Sequence, residues 1–271
     1  MKNTVKKLLA SIVLLVITLL LCSPFKFGHN ENYTKNVDEY NENYEKNKDN
    51  AEVLPPSAKP TEEALEVITA EFPHEVSDAM AEISISTESI GDCEQLLMVT
   101  TDGSSAEITE YEVNASGNWE CLNLIVDGYI GSCGATQTKT EGDKKTPMGL
   151  FELGIAFGNE EKPDTKLSYR QIDQDSYWVD DSASEKYNTW VEGTDNRDWN
   201  SAEHLSDYQT AYALAIVIEY NTNPVIPNAG SAIFLHCGSS PTAGCVSVSH
   251  DNMLEILKWL NPSKKPMILI H

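Results

Sequence analysis

The amino-acid sequence predicts a mostly β domain closed by one helix, and three observations carry that expectation. From residue 90 onward, segments rich in aromatic and β-branched residues alternate with Gly, Asn and Asp, the composition of strands joined by tight turns. The segments are 95–100, 107–113, 119–126, 150–157, 212–220 and the closing 267–270. Only one stretch shows a clear helical period: Met253, Leu254, Ile256, Leu257 and Leu260 share one apolar face, with Ser249 placed to cap its start and Asn261-Pro262 to stop it. At 271 residues and 41% hydrophobic content, the chain holds one substantial domain with extensions.

The extensions lie at the front. Lys2, Lys6 and Lys7 precede an uncharged apolar run of fourteen residues, 8–21, continued by Cys22. Residues 1–25 therefore read as a signal peptide or membrane anchor, although the run is shorter than the roughly 20 residues that span a bilayer and lacks a small-x-small cleavage site. Leucine before Cys22 is a poor match to a lipoprotein box, which favours an anchor or a cleaved signal over lipidation. The lysines ahead of the run place the remainder outside the cytoplasm, so membrane contact is expected through the N-terminal segment only. Residues 26–82 are expected to form a disordered acidic, Asn-rich tether. Within it, 61–82 carries seven acids and no Lys or Arg, and reads as a solvated stalk or one or two short helices. The catalytic domain is expected over 83–271.

A formal charge of −23 excludes nucleic acid as a natural partner, because the phosphates would be repelled, and suits substrates that carry amines. Beyond Cys22 the cysteines are Cys93, Cys121, Cys133, Cys237 and Cys245. That odd number is compatible with two bridges and one free thiol, with connectivity open.

The chemistry concentrates in the loop that runs from His236 to Cys245. The small apolar stretch 231–235 reads as a buried strand that delivers His236, and Cys245 follows Gly244 just ahead of the helix. A free thiol has a pKa of about 8.5, so a neighbouring imidazole that takes its proton makes it a nucleophile. Gly244 permits close approach of a substrate, and the N–H groups of Gly244 and Cys245 are candidate oxyanion donors. Two plainer readings compete. Cys245 could be a small core residue, or His236, Cys237, Cys245 and His250 could bind zinc. Adjacent side chains leave a strand in opposite directions, which argues against His236 and Cys237 sharing one metal.

The segment IFLHCGSSPTAGCVSVSHDNMLEILKWLNPSKKPMILI resembles the active-site end of the L,D-transpeptidase catalytic domain, the YkuD family, in its branch with a short His-to-Cys spacing and a TAGCVSV signature. A second block is similar to the family's G-x-x-G…EGD-x-x-TP-x-G-x-F pattern: Gly131 to Gly134, then Glu141, Gly142, Asp143, Thr146, Pro147, Gly149 and Phe151. Its charged part could contact substrate or equally be a solvated surface turn. A third stretch, from Tyr177 through Asn188 to Leu205, resembles the linking region of that branch. Two positions depart from the common pattern: Ser247 stands where many relatives carry arginine, and Cys237 follows the histidine.

The resemblance implies a YkuD-like β-sandwich with a helix after the catalytic cysteine. It also implies a peptidoglycan L,D-transpeptidase, needing no cofactor or metal, that acts on stem peptides. Cys245 would form a thioester with the donor, His236 would move the protons while a main-chain carbonyl orients its ring, and an acceptor amine would resolve the thioester. Thr242, Ser247 and His204 are candidate substrate contacts, although His204 could instead cap a helix. Hydrolysis on the same scaffold, as an L,D-carboxypeptidase, and a catalytically silent wall-binding protein are the alternatives. The expected location is extracytoplasmic, anchored in the membrane or secreted to the wall.

Overall fold

Along the computed structural model, which describes residues 72–271, strands dominate. In chain order the elements are α1 (His74–Glu82), β1 (Gln95–Asp102), β2 (Ser105–Val113), β3 (Trp119–Tyr129), β4 (Ala135–Thr136), β5 (Thr146–Pro147), β6 (Gly149–Gly158), β7 (Tyr169–Gln171), β8 (Ser176–Val179), β9 (Trp190–Glu192), β10 (Ala202–His204), β11 (Ala215–Ile218), β12 (Phe234–Cys237), β13 (Val246–Val248), α2 (His250–Trp259) and β14 (Met267–Ile270). The export segment expected at 1–25 and the tether as far as residue 71 lie outside the described residues.

Strand alternation explains how one sheet supports three apolar clusters. In β1, Leu97 and Val99 point into the central core with Ile108, Ile216, Leu235, Val246 and Ile268, while Leu96 and Met98 point the other way. Each fully buried Leu or Ile stabilises by about 1.5–3 kcal/mol relative to exposure. Nine strands form the main sheet in the order β11-β12-β13-β3-β2-β1-β14-β6-β7, and β6 also pairs with β11. That second pairing closes eight of the nine strands around the central core and leaves β7 as a side branch, a mostly β sandwich-like architecture of the expected class. Parallel pairing of β1 with β14 and of β12 with β13 is embedded in otherwise largely antiparallel neighbours.

The expected strands are present, β1, β2, β3 and β6 being longer by one to three residues at an end, except that 212–220 contributes only the four residues of β11. The small sheet β10-β8-β9 was not foreseen, because its three strands are only three or four residues long. Its Trp178 and Trp190 join Leu205, Tyr212 and Phe234 in a cluster on the outer face of β11 and β12.

The tether expectation needs correction at its C-terminal end. Residues 74–82 form α1, whose Val76, Ala79 and Met80 pack on Leu96, Met98 and Leu269. The apolar residues sit at i, i+3 and i+4, while Glu75, Asp78 and Glu82 face water, so of the two readings of 61–82 the short helix holds over 74–82. Helix α2 forms where expected. Ser249 Oγ accepts the Asn252 N–H at 3.2 Å, Met253, Ile256 and Leu257 are buried, and the chain turns away at Asn261 and Pro262.

Candidate active site

Strand β12 sorts its last two residues to opposite sides. Cys237 enters the central core with Leu235, and its thiol donates to Leu214 O at 3.5 Å. His236 takes the outer face, where Tyr212 meets its ring edge-on at 5.7 Å between centroids. The chain then turns through 238–245 and returns as β13, parallel to β12, with Val246 opposite Leu235. This register sets Cys245 beside Phe234 on the same face as His236, and the two share a cleft of about 600 Å³.

The thiol and the ring are each held by main chain. Cys245 Sγ donates to Ala232 O at 3.2 Å and lies 3.4 Å from the Phe234 N–H that points to it. His236 Nδ1 is 2.8 Å from Cys237 O. A carbonyl oxygen only accepts, so Nδ1 carries the proton and Nε2 is left as the base. No disulfide forms among the described residues, where Cys93, Cys121, Cys133, Cys237 and Cys245 are all free.

The cleft floor is clamped by the block at 131–149. Thr146 is fully buried; its hydroxyl accepts the Gly131 N–H at 2.8 Å and donates to Gly244 O at 2.8 Å, with Cys245 O 3.2 Å away. Asp143 organises the turn before it, accepting from Lys139 Nζ at 2.7 Å and from the N–H groups of Thr140 and Lys145, each at 2.9 Å. The charged block is therefore a support for the cysteine loop rather than a solvated turn. Glycine is required at two points of contact. A Cβ on Gly131 would stand 2.5 Å from Lys144 O. Gly244 has φ +150°, and a Cβ there would meet Lys145 O at 3.1 Å.

Burial sets the resting protonation. It pushes the Cys245 thiol up to about 12, helped by the Glu203 carboxylate and opposed by Lys139. Burial also lowers His236, against the pull of the Cys237 carbonyl. Both groups are thus neutral at pH 7, and no hydrogen bond joins Sγ to the ring. Burial therefore works against the ion pair expected from the sequence, because it penalises both the thiolate and the imidazolium. Glu203 is raised to about 7, first by burial and then by Asp180 and Glu141, against the hydroxyl of Tyr212 that it accepts at 2.5 Å.

Of the expected substrate contacts, Thr242 lines the cleft, yet its hydroxyl works within the loop: it donates to Cys245 O at 2.7 Å and accepts the Gly244 N–H at 3.1 Å. With that N–H engaged, Gly244 is not a free oxyanion donor. Ser247 is corrected: it is fully buried under the turn, its hydroxyl 3.4 Å from Ser240 O. His204 is corrected as well. Its ring stacks on Tyr177 at 4.5 Å, and Nε2 is held between Gln174 O at 2.9 Å and Ser206 Oγ at 3.0 Å, away from the cleft. Its neighbour Glu203 on β10 reaches the cleft instead, as alternation along a strand requires. Glu203, Asp180, Tyr212 and Lys139 also line the site and went unnoticed in the sequence. Only the alternation of β10, one residue out of phase with the choice of His204, could have pointed to Glu203.

A family model of the L,D-transpeptidase catalytic domain (YkuD) matches residues 94–269, from one residue before β1 to within β14. No curated protein matches the chain. The matched span contains the closed sheet, the clamp at 131–149 and both residues of the thiol–imidazole pair, and the chain belongs to the L,D-transpeptidase catalytic domain family.

Proposed function

We propose that this protein is an exported peptidoglycan L,D-transpeptidase with Cys245 as nucleophile and His236 as its acid–base partner. The family acts on peptidoglycan stem peptides, and the wall lies outside the cytoplasm, which agrees with the lysine-flanked apolar run at 8–21. The reading rests on one observation above the others: a free thiol and an imidazole with Nδ1 pinned to a carbonyl occupy one cleft.

The mechanism starts from the neutral pair. When the carbonyl at the L-centre of the third stem residue enters, Sγ leaves Ala232 O and attacks carbon while its proton passes to His236 Nε2. Moving the proton as the S–C bond forms avoids building an isolated ion pair in a buried site. The Cys245 N–H is the main-chain donor available to the oxyanion, and the charge of the Lys139 ammonium, felt at Cys245, favours negative charge there. The tetrahedral adduct collapses by breaking the C–N bond, His236 returns its proton to the departing amine, and the terminal D-alanine leaves. An acceptor amine then attacks the thioester, gives a proton to His236 and restores the thiol as the new amide forms.

Incubation of the purified protein with a disaccharide-tetrapeptide, read by mass spectrometry, tests this. A mass increase on Cys245 with loss of D-alanine, followed by a cross-linked dimer, is expected. Tripeptide without dimer would replace transfer by hydrolysis, and no adduct at all would reject the catalytic reading.

A further inference from the structure

The cleft is short of donors for the negative charge that its chemistry creates. When sulfur adds to a carbonyl carbon the oxygen becomes an oxyanion, and preorganised donors aimed at that oxygen carry much of the rate. Of the two N–H groups beside the nucleophile, that of Gly244 is engaged by Thr242 Oγ1 at 3.1 Å, which leaves the Cys245 N–H. Glu203, Asp180 and Glu141 line the same cleft, and their carboxylates disfavour a further negative charge.

Lys139 is placed to make up the shortfall. Its side chain is only 4% exposed and lines the cleft together with Cys245 and His236, whereas Lys144 of the same block is exposed and Lys145 half-buried. The stem runs over two glycines: a Cβ on Gly230 would stand 2.8 Å from Lys139 Cε, and one on Gly244 would stand 3.5 Å from Nζ. The missing side chains let the ammonium come up against the residue that precedes the nucleophile. Withdrawing an ammonium from water is costly, and a single carboxylate offsets that cost: Nζ donates to Asp143 Oδ1 at 2.7 Å. Its other contact among the described residues is Thr140 O at 3.4 Å, so of the three N–H groups of an ammonium at least one has no partner there. The charges that act on the Cys245 thiol are those of Glu203, which raises it, and of Lys139, which lowers it, so the ammonium is felt at the sulfur although Asp143 holds it.

We propose that Lys139 is a catalytic residue of the acyl transfer, its ammonium donating to the oxyanion beside the Cys245 N–H in place of the engaged Gly244 N–H. The proposal rests on the transpeptidase reading above and adds a residue to its mechanism. As Sγ bonds to carbon, the carbonyl π pair moves onto oxygen, which accepts one N–H from Lys139 and one from Cys245, and the ammonium proton stays on nitrogen. The pair returns when the C–N bond breaks, and the same contacts form again when the acceptor amine attacks the thioester. Asp143 is then a positioning residue that keeps the ammonium charged and in place.

The test compares two reactions of Cys245 in the wild type, Lys139→Met and Asp143→Asn, each checked by thermal unfolding: acylation by a tetrapeptide donor, which passes through an oxyanion, and alkylation by iodoacetamide, which does not. Lys139→Met should lower the limiting acylation rate by about a hundredfold with KM unchanged, as the loss of one oxyanion donor does. Alkylation at the same pH should fall by less than about tenfold, through the thiol alone. Asp143→Asn loosens the turn but leaves the ammonium, so it should cost acylation less than Lys139→Met. Lys139→Gln, also uncharged, carries the same comparison if the methionine variant fails to fold. Equal loss in both reactions, a loss confined to KM, a larger loss in Asp143→Asn, or acylation within about threefold of wild type would overturn the role of Lys139 and leave the catalytic pair intact. No thioester in the wild type would overturn the transpeptidase reading itself.

Discussion

Replacing Thr146 by valine tests whether the 131–149 block holds the cysteine loop. Valine preserves shape and burial but removes the hydroxyl, so two polar groups lose their partner, the Gly131 N–H and Gly244 O, while Cys245 O keeps the Thr242 hydroxyl at 2.7 Å. Both lie around a side chain with no exposure. A buried polar group left unsatisfied costs about 1–3 kcal/mol. The Gly131 N–H has no alternative acceptor in place and Gly244 O loses its shortest bond, so Thr146→Val should lower stability by about 2–4 kcal/mol. Urea unfolding would read this as a lower midpoint at unchanged slope. Acylation of Cys245 by a tetrapeptide donor should fall more than about tenfold, because the loop carrying the nucleophile is no longer fixed from below. Thr146→Ser keeps the hydroxyl and should retain most of both properties. A valine variant within about 0.5 kcal/mol of wild type, acylating at the wild-type rate, would show that the clamp has no energetic weight.

Three further outcomes are expected. The unliganded protein should alkylate at Cys245 at a rate that still climbs above pH 9, since the thiol is held near 12; a plateau below pH 8 would mean that a thiolate–imidazolium pair exists at rest. Gly131→Ala should destabilise by about 1–3 kcal/mol, because a Cβ 2.5 Å from Lys144 O must push main chain apart, and a midpoint equal to wild type would refute that approach. For Glu203, whose folded pKa of about 7 exceeds the ordinary carboxylate value of 4.5, folding is opposed increasingly as pH rises from about 4.5 to 7 and by a constant amount above. Glu203→Gln should therefore stabilise more at pH 8 than at pH 5, by up to about 3 kcal/mol; an equal effect at both values would contradict the burial of that carboxylate.

Much of the fold is legible in the residue order because local patterns report it. Runs of aromatic and β-branched residues between Gly, Asn and Asp turns mark β1, β2, β3, β6 and β14, and Ser249 and Pro262 bracket α2. The pair His236 and Cys245 is legible through the resemblance of the segment around them to the family's active-site end, since the residues alone left a core thiol or a zinc site open. The acidic outer face of α1 left its segment open between a short helix and a solvated stalk, and the sheet β10-β8-β9 was hidden by strands too short to show a period.

By itself, then, the sequence determined the fold class and the final helix and singled out His236 and Cys245, because strand composition, helical period and short motifs are local patterns. Tertiary structure alone decided that Thr146, 98 positions from Gly244, fastens the nucleophile's loop. It also decided that Glu203 rather than His204 enters the cleft, and that the thiol rests neutral on Ala232 O. The reason is physical: burial and the closeness of charges distant in sequence are properties of the packed chain. Hydrogen-bond partners and protonation states follow from these, and no local pattern of residues encodes them.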